Sequence, residues 1–159
     1  MDRIWSPWRM EYIESARDDD DGACPFCTIV ETDDATRILV RTERAFVTLA
    51  KYPYNPGHLL ILPTRHTGEL ESLAPEETAE ISSLLQRGIR ALREVADPGG
   101  FNVGLNLGRT AGAGIPEHLH WHVVPRWGGD TNFMPVVGET RVLPELLQTT
   151  FDKLKPAFG

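Results

Sequence analysis

Cysteine is nearly absent: Cys24 and Cys27 are the only two in the chain, too few for a disulfide framework. No apolar run approaches the roughly 20 residues needed to cross a bilayer, so no membrane partner is expected. Positive charge is also short, with 16 Lys and Arg against 23 Asp and Glu and a net charge of -7. That balance argues against gripping a nucleic-acid polymer, which rewards clustered basic residues, but leaves room for a small phosphorylated ligand in a local pocket. The opening residues, MDRIWSPWRM, carry no apolar stretch of the signal-peptide kind, and the expected location is cytoplasmic. Histidine is scarce too. Of five, three stand at 118, 120 and 122, in the stretch HLHWHVVP.

With 159 residues the chain has the size of one domain with its own core. Residues 1-22 read as an N-terminal arm, with a helix starting near Trp8, followed by an acidic linker, DDDDG. Residues 23-159 read as the domain proper with a C-terminal helical extension. Short apolar runs at 38–40 and 46–49 predict a hairpin. The turn-rich YPYNPG leads into a buried strand over 58–62, ended by Pro63. From Pro75, the spacing of Ile81, Leu84, Leu85, Ile89, Leu92 and Val95 predicts a helix that Pro98, Gly99 and Gly100 stop. A strand over 101–107, a glycine-rich loop over 108–114 (GRTAGAG), the histidine stretch and a final helix over 143–154 complete the chain. This order fits an α+β fold, an antiparallel sheet with helices packed on one face, better than repeated βαβ units.

Read as one strand, 118–125 places His118, His120 and His122 on one face and Leu119, Trp121 and Val123 on the other. Same-face neighbours on a strand lie about 6.5 to 7 Å apart. One zinc ion, with bonds of about 2.0 to 2.1 Å to nitrogen, is therefore not easily shared by all three. At least one ring is left for other work, and an imidazole that is largely neutral at pH 7 can attack phosphorus. Gly108, Gly112 and Gly114 would let backbone N–H groups approach phosphate oxygens, and no Gly-Lys-Ser/Thr follows to make the loop a P-loop. Phosphoryl chemistry without an obligatory catalytic metal is the expectation. The Cys24-x-x-Cys27 spacing suits a metal, a redox pair or two incidental thiols; for a zinc site, His66 and one histidine of the triplet are the best additional ligands.

The stretch over 118–124 resembles the H-φ-H-φ-H-φ-φ signature of the histidine triad (HIT) superfamily of nucleotidyl hydrolases and transferases. Asn55-Pro56-Gly57-His58, Asn106 before the glycine loop and Pro125-Arg126 after the triad resemble it too. RIWSPWRMEYI, YPYNPGHLLILP, FNVGLNLG and EHLHWHVVPRWGGDTNF are most similar to the bacterial diadenosine tetraphosphate (Ap4A) phosphorylase branch. The resemblance implies a single HIT domain over 23-159, and an enzyme that cleaves dinucleoside polyphosphates through a nucleotidyl-histidine intermediate. Its catalytic set would be His118, His120 and His122, with His120 the nucleophile and His122 at the α-phosphate. His58 would help orient His120, while Asn106 and the loop glycines Gly108, Gly112 and Gly114 bind substrate. Cys24, Cys27, His66 and His118 would hold a structural zinc, and two chains would form a homodimer with a continuous sheet. A phosphoramidate hydrolase and a nucleotide-binding module without turnover are the competing readings. Ala50 stands where hydrolase branches carry Asn or Asp for the ribose, and Gly112-Ala113-Gly114-Ile115 replaces their Gly-Gln-Thr or Gly-Gln-Ser.

Overall fold

The computed structural model describes residues 23–130 and 145–158. The arm over 1-22, its helix start at Trp8 and the first residues of the expected final helix lie outside them. Strands β1 (Ile38–Arg41), β2 (Ala45–Leu49), β3 (Leu59–Pro63), β4 (Gly100–Leu105) and β5 (Trp121–Arg126) form one sheet in the order β1-β2-β3-β5-β4. Every neighbouring pair is antiparallel. The helices are α1 (Pro25–Glu31), α2 (Pro75–Ala96) and α3 (Leu147–Leu154).

Helix α2 starts at Pro75, whose missing N–H costs nothing in the first turn. The Glu77 carboxylate accepts the Ala74 N–H at 2.8 Å, satisfying one of the donors that a helix start leaves over. Asp97 closes the helix in the left-handed conformation at φ 42°, and Pro98 prevents its continuation. The expected stripe is buried at Ile81, Leu84 and Leu92, packed with Val47, Leu59, Ile61 and Val123 from the sheet. Gly88 lets the helix come close to β3, since a Cβ there would stand 3.0 Å from Leu59. Helix α3 joins the same layer through Phe151 and Leu154. Burial of each large aliphatic side chain in this layer contributes about 1.5–3 kcal/mol.

The other face is divided. Alternation turns Phe46, Leu60, Leu62, His122, Val124, Asn102 and Gly104 away from α2. The short helix α1 covers the β2–β3 part of this face, with Phe26 and Ile29 packed on Phe46, Leu60 and Leu62. The α+β architecture is thus the expected one, with α2 and α3 on one face and α1 added on the other. The part over β5 and β4 is left for a cavity.

Candidate functional site

The ladder of β5 begins at Trp121, so only His122 of the three histidines lies in the sheet. The expected strand over 118–125 is shorter at its start, and Pro63 supplies the reason. Thr64 donates its N–H to Arg44 on the β2 side at 2.8 Å, so alternation turns position 63 towards β5. A proline there has no N–H to extend the β3–β5 ladder. Leu119 instead donates its N–H to the Thr67 carbonyl at 2.7 Å, and the three imidazoles take three different environments.

His118 is fully buried. Its Nε2–H donates to the Pro63 carbonyl at 2.9 Å, which leaves Nδ1 with its lone pair facing Cys24 Sγ at 3.4 Å and Cys27 Sγ at 3.6 Å. His66 Nδ1 lies 3.3 Å from Cys27 Sγ. The ligand atoms of Cys24, Cys27, His66 and His118 all fall within 4.8 Å of one another. Ideal zinc–sulfur and zinc–nitrogen bonds at tetrahedral angles place ligand atoms about 3.3–3.8 Å apart. These four residues therefore fit a closed tetrahedral metal site, with a carbonyl orienting the buried histidine from behind. Burial, and after it the neighbouring Cys24, pushes the Cys27 thiol up to about 11. A bound cation would reverse that preference by stabilising the thiolates. Burial also lowers the pKa of His118 against the opposing pull of the Pro63 carbonyl, favouring the neutral ligand form.

His120 is buried as well, and its Nδ1–H donates to the His118 carbonyl at 2.8 Å. In that tautomer Nε2 carries the lone pair. Burial holds its pKa below the ordinary histidine value, so the ring is neutral at pH 7. His122 is set by a different chain. Tyr54 donates its backbone N–H to His58 Nδ1 at 3.1 Å. The neutral His58 ring then carries its proton on Nε2 and donates to His122 Nδ1 at 2.9 Å. His122 consequently holds its own proton on Nε2. The resemblance implied that His58 helps orient His120; its hydrogen bond is to His122, whose ring centre lies 5.1 Å from that of His120. Tyr54 stacks on His58 with ring centres 4.9 Å apart.

A cavity of about 650 Å³ opens beside His122, walled by Tyr54, Asn102, Gly104, Val124 and Arg126, with Asn106 and Ala111 from the glycine-loop side. Gly104 pairs with His122 across β4 and β5, and a Cβ there would meet nothing within 4 Å. Arg126 is fixed by Asp130 at 2.6 and 2.9 Å and by Asn102 at 2.7 Å. Asn106 donates to the Gly112 carbonyl at 3.4 Å. Gly108 and Gly112 take positive φ, at 78° and 92°, on either side of the short turn Arg109–Ala111. Gly114 is not in that region, and none of the three glycines walls the cavity. Sequence reasoning overlooked Asn102, Tyr54 and the functional position of Arg126. The signal for Arg126 was present, because alternation along β5 places His122, Val124 and Arg126 on one face.

The arrangement juxtaposes a neutral ring nitrogen bearing a lone pair, on His120, with an imidazole N–H donor, on His122. Their ring centres lie 5.1 Å apart. Attack on phosphorus assisted by a donor to a developing oxyanion needs these two groups together.

The chain is 44% identical to the AP-4-A phosphorylase of Mycobacterium tuberculosis over 157 residues, 94% of this chain and 80% of that protein. It is 31% identical to an adenosine 5'-monophosphoramidase of Schizosaccharomyces pombe, over 65% of this chain and 74% of that one. Among solved structures, a Zn-bound histidine triad family protein from Mycobacterium smegmatis matches with a TM-score of 0.70 and 32% identity, covering 86% of this chain and 94% of that one. The HIT domain family model matches residues 31–129, which span all five strands and the three clustered histidines, and the chain belongs to the HIT domain family.

Proposed function

We propose that this protein is an enzyme cleaving dinucleoside polyphosphates of the Ap4A kind, with phosphate as the acceptor. The observation that carries the reading is the pair of opposed tautomers, a lone pair on His120 Nε2 beside a proton on His122 Nε2. In the first step Nε2 of His120 attacks the α-phosphorus. The N–P bond forms and the P–O bond to the leaving nucleoside polyphosphate breaks, with His122 hydrogen-bonding the phosphoryl oxygens as charge develops. A phosphate oxygen then attacks the same phosphorus, the N–P bond breaks, and His120 is restored. Ap4A and phosphate would give ATP and ADP; water in place of phosphate would give ATP and AMP. The 44% identity to an AP-4-A phosphorylase supports this substrate class. His58 acts on His122, and the cavity beside His122, with Asn106 and Ala111 on its loop side, takes the substrate.

The metal held by Cys24, Cys27, His66 and His118 is zinc in this reading, in a structural role, supported by the Zn-bound relative of similar fold. No catalytic metal enters the steps above. Residues 23-159 act as one domain and pair as a cytoplasmic homodimer. Support for pairing comes from β4, which among the described residues is an edge strand of the sheet and leaves Val103 half exposed, where a second copy could add to it. Among the described residues no helix is long and apolar enough to cross a membrane.

Incubation with Ap4A, with and without phosphate, tests the reading. ADP formed only with phosphate is the expected product, and AMP without phosphate would make the enzyme a hydrolase. Absence of turnover in both, with folded protein, would refute it. The 31% identity to an adenosine 5'-monophosphoramidase favours one alternative, which would show as faster cleavage of an adenosine phosphoramidate than of Ap4A.

A further inference from the structure

Phe26 has no place yet in either the metal site or the reaction, although it stands between Cys24 and Cys27 in the chain. Its side chain is buried, and its ring centre lies 5.5 Å from that of His118 and 5.4 Å from that of His120. The contact with His118 is edge-on at 77°, and the one with His120 is tilted at 46°. One aromatic ring therefore touches a metal ligand and the nucleophile proposed above, from a helix turn whose ends are two further metal ligands.

We propose that Phe26 is a positioning residue that couples the metal-holding cysteine pair to the imidazole of His120. This rests on the reading of His120 as nucleophile. The hydrogen bond from His120 Nδ1 to the His118 carbonyl fixes one atom of the ring, but a single hydrogen bond leaves the ring plane free to swing about it. Phe26 blocks that swing from the side. Productive attack needs the reacting nitrogen held within about 0.5 Å and 10–20° of its line. Helix α1 has only seven residues and cannot hold its own position by helix propensity. Its place is set by the burial of Phe26 and Ile29 and by Cys24 and Cys27 at the metal site. Two routes thus run from the metal ligands to one imidazole: the His118 main chain holds Nδ1, and the Phe26 ring holds the plane.

The test uses the full chain loaded with zinc and Phe26→Leu, which keeps apolar bulk and loses the ring. Ile29→Val is the control, because Ile29 is buried in the same cluster, and the trim of one methylene keeps α1 in place without removing a contact to either imidazole. Imidazole ring-proton resonances of His120, zinc content, and kcat and KM for Ap4A are measured in each. Phe26→Leu should retain zinc, shift the His120 resonances and lower kcat about tenfold or more with KM little changed. Stripping zinc from the unsubstituted protein with EDTA should move the same resonances. Ile29→Val should leave them and kcat in place. Unmoved His120 resonances in Phe26→Leu or in the stripped, folded protein would overturn the proposal. So would a variant that raises KM alone, which would mark Phe26 as a substrate contact, or one that keeps full kcat. Failure of the nucleophile reading would instead show as absent turnover in the unsubstituted protein, while the resonances still report the coupling.

Discussion

Gly68→Ala should loosen the metal site from a position that is not one of its ligands. Residue 68 follows His66 by two, and its backbone lies against Pro116 and Glu117, just before His118. A Cβ there would come well inside 3.0 Å of the Pro116 carbonyl oxygen and 3.2 Å from Glu117 Cα. Both obstacles are backbone, so relief requires the two loops to separate by more than half an ångström. They are tied by the Leu119 N–H to Thr67 carbonyl bond of 2.7 Å, which such a movement stretches beyond good geometry. Weakening that bond costs about 1 kcal/mol and overpacking adds about 1–3 kcal/mol. The sum of about 2–4 kcal/mol corresponds to a fall in Tm of about 4–16 °C for a chain of this length. Metal–ligand distances tolerate only about ±0.2 Å, so zinc affinity should fall at least about tenfold. Thermal unfolding and competition with a chromophoric chelator measure both effects. Gly128→Ala is the comparison, since a Cβ there meets nothing within 4 Å. If Gly68→Ala matched it in Tm and in zinc affinity, the close approach of the two loops would not set the spacing of His66 and His118.

Glu77 should contribute to stability in a pH-dependent way. Its carboxyl is held below the ordinary glutamate value, first by the Arg65 side chain, with the Ala74 N–H also contributing. A depressed folded-state value means a contribution present above the unfolded pKa and lost as pH falls through the folded one. Glu77→Gln should therefore lower the urea midpoint at pH 7, and its deficit should shrink as both proteins are taken into the acid range; a deficit constant with pH would refute the linkage. His58→Phe keeps an aromatic ring against Tyr54 but removes the N–H that sets the His122 tautomer. A fall in kcat for Ap4A of at least about 100-fold is expected, and unchanged kcat would show that His122 does not depend on this donor.

The regular elements could be read from the sequence because local chemistry decides them. Pro75 and the apolar spacing after it fix α2, and short apolar runs around polar turns fix the β1–β2 hairpin. The histidine stretch was harder for a physical reason. Its alternation is real, but whether alternating residues become a ladder depends on a partner strand, and that partner ends in a proline. Nothing within 118–125 reveals that Pro63 will stand opposite. The cysteine pair, His66 and His118 were suggested by spacing and resemblance, and the structure brings all four together. Asn102 was invisible because its position opposite Val124 is a matter of strand register, which joins residues 22 apart in the chain. Tyr54 was hidden in a turn, where its backbone N–H fixes the His58 tautomer and its ring stacks on His58.

The choice of hydrogen-bond partners for the buried imidazoles bears on the substrate. His118 and His120 both donate to main-chain carbonyls, those of Pro63 and of His118. A carboxylate in either place would orient the ring as well, but it would raise the imidazole pKa and put negative charge beside an incoming polyphosphate. A carbonyl fixes the tautomer without that charge, while burial lowers the pKa of both rings and preserves their lone pairs. The same device serves different ends, because the two rings leave opposite nitrogens open: Nδ1 of His118 towards the cysteines, and Nε2 of His120 away from the His118 main chain. In a chain with a net charge of -7, an anionic substrate would therefore be met by local, preorganised donors and lone pairs, with Arg126 in the cavity wall, rather than by overall attraction.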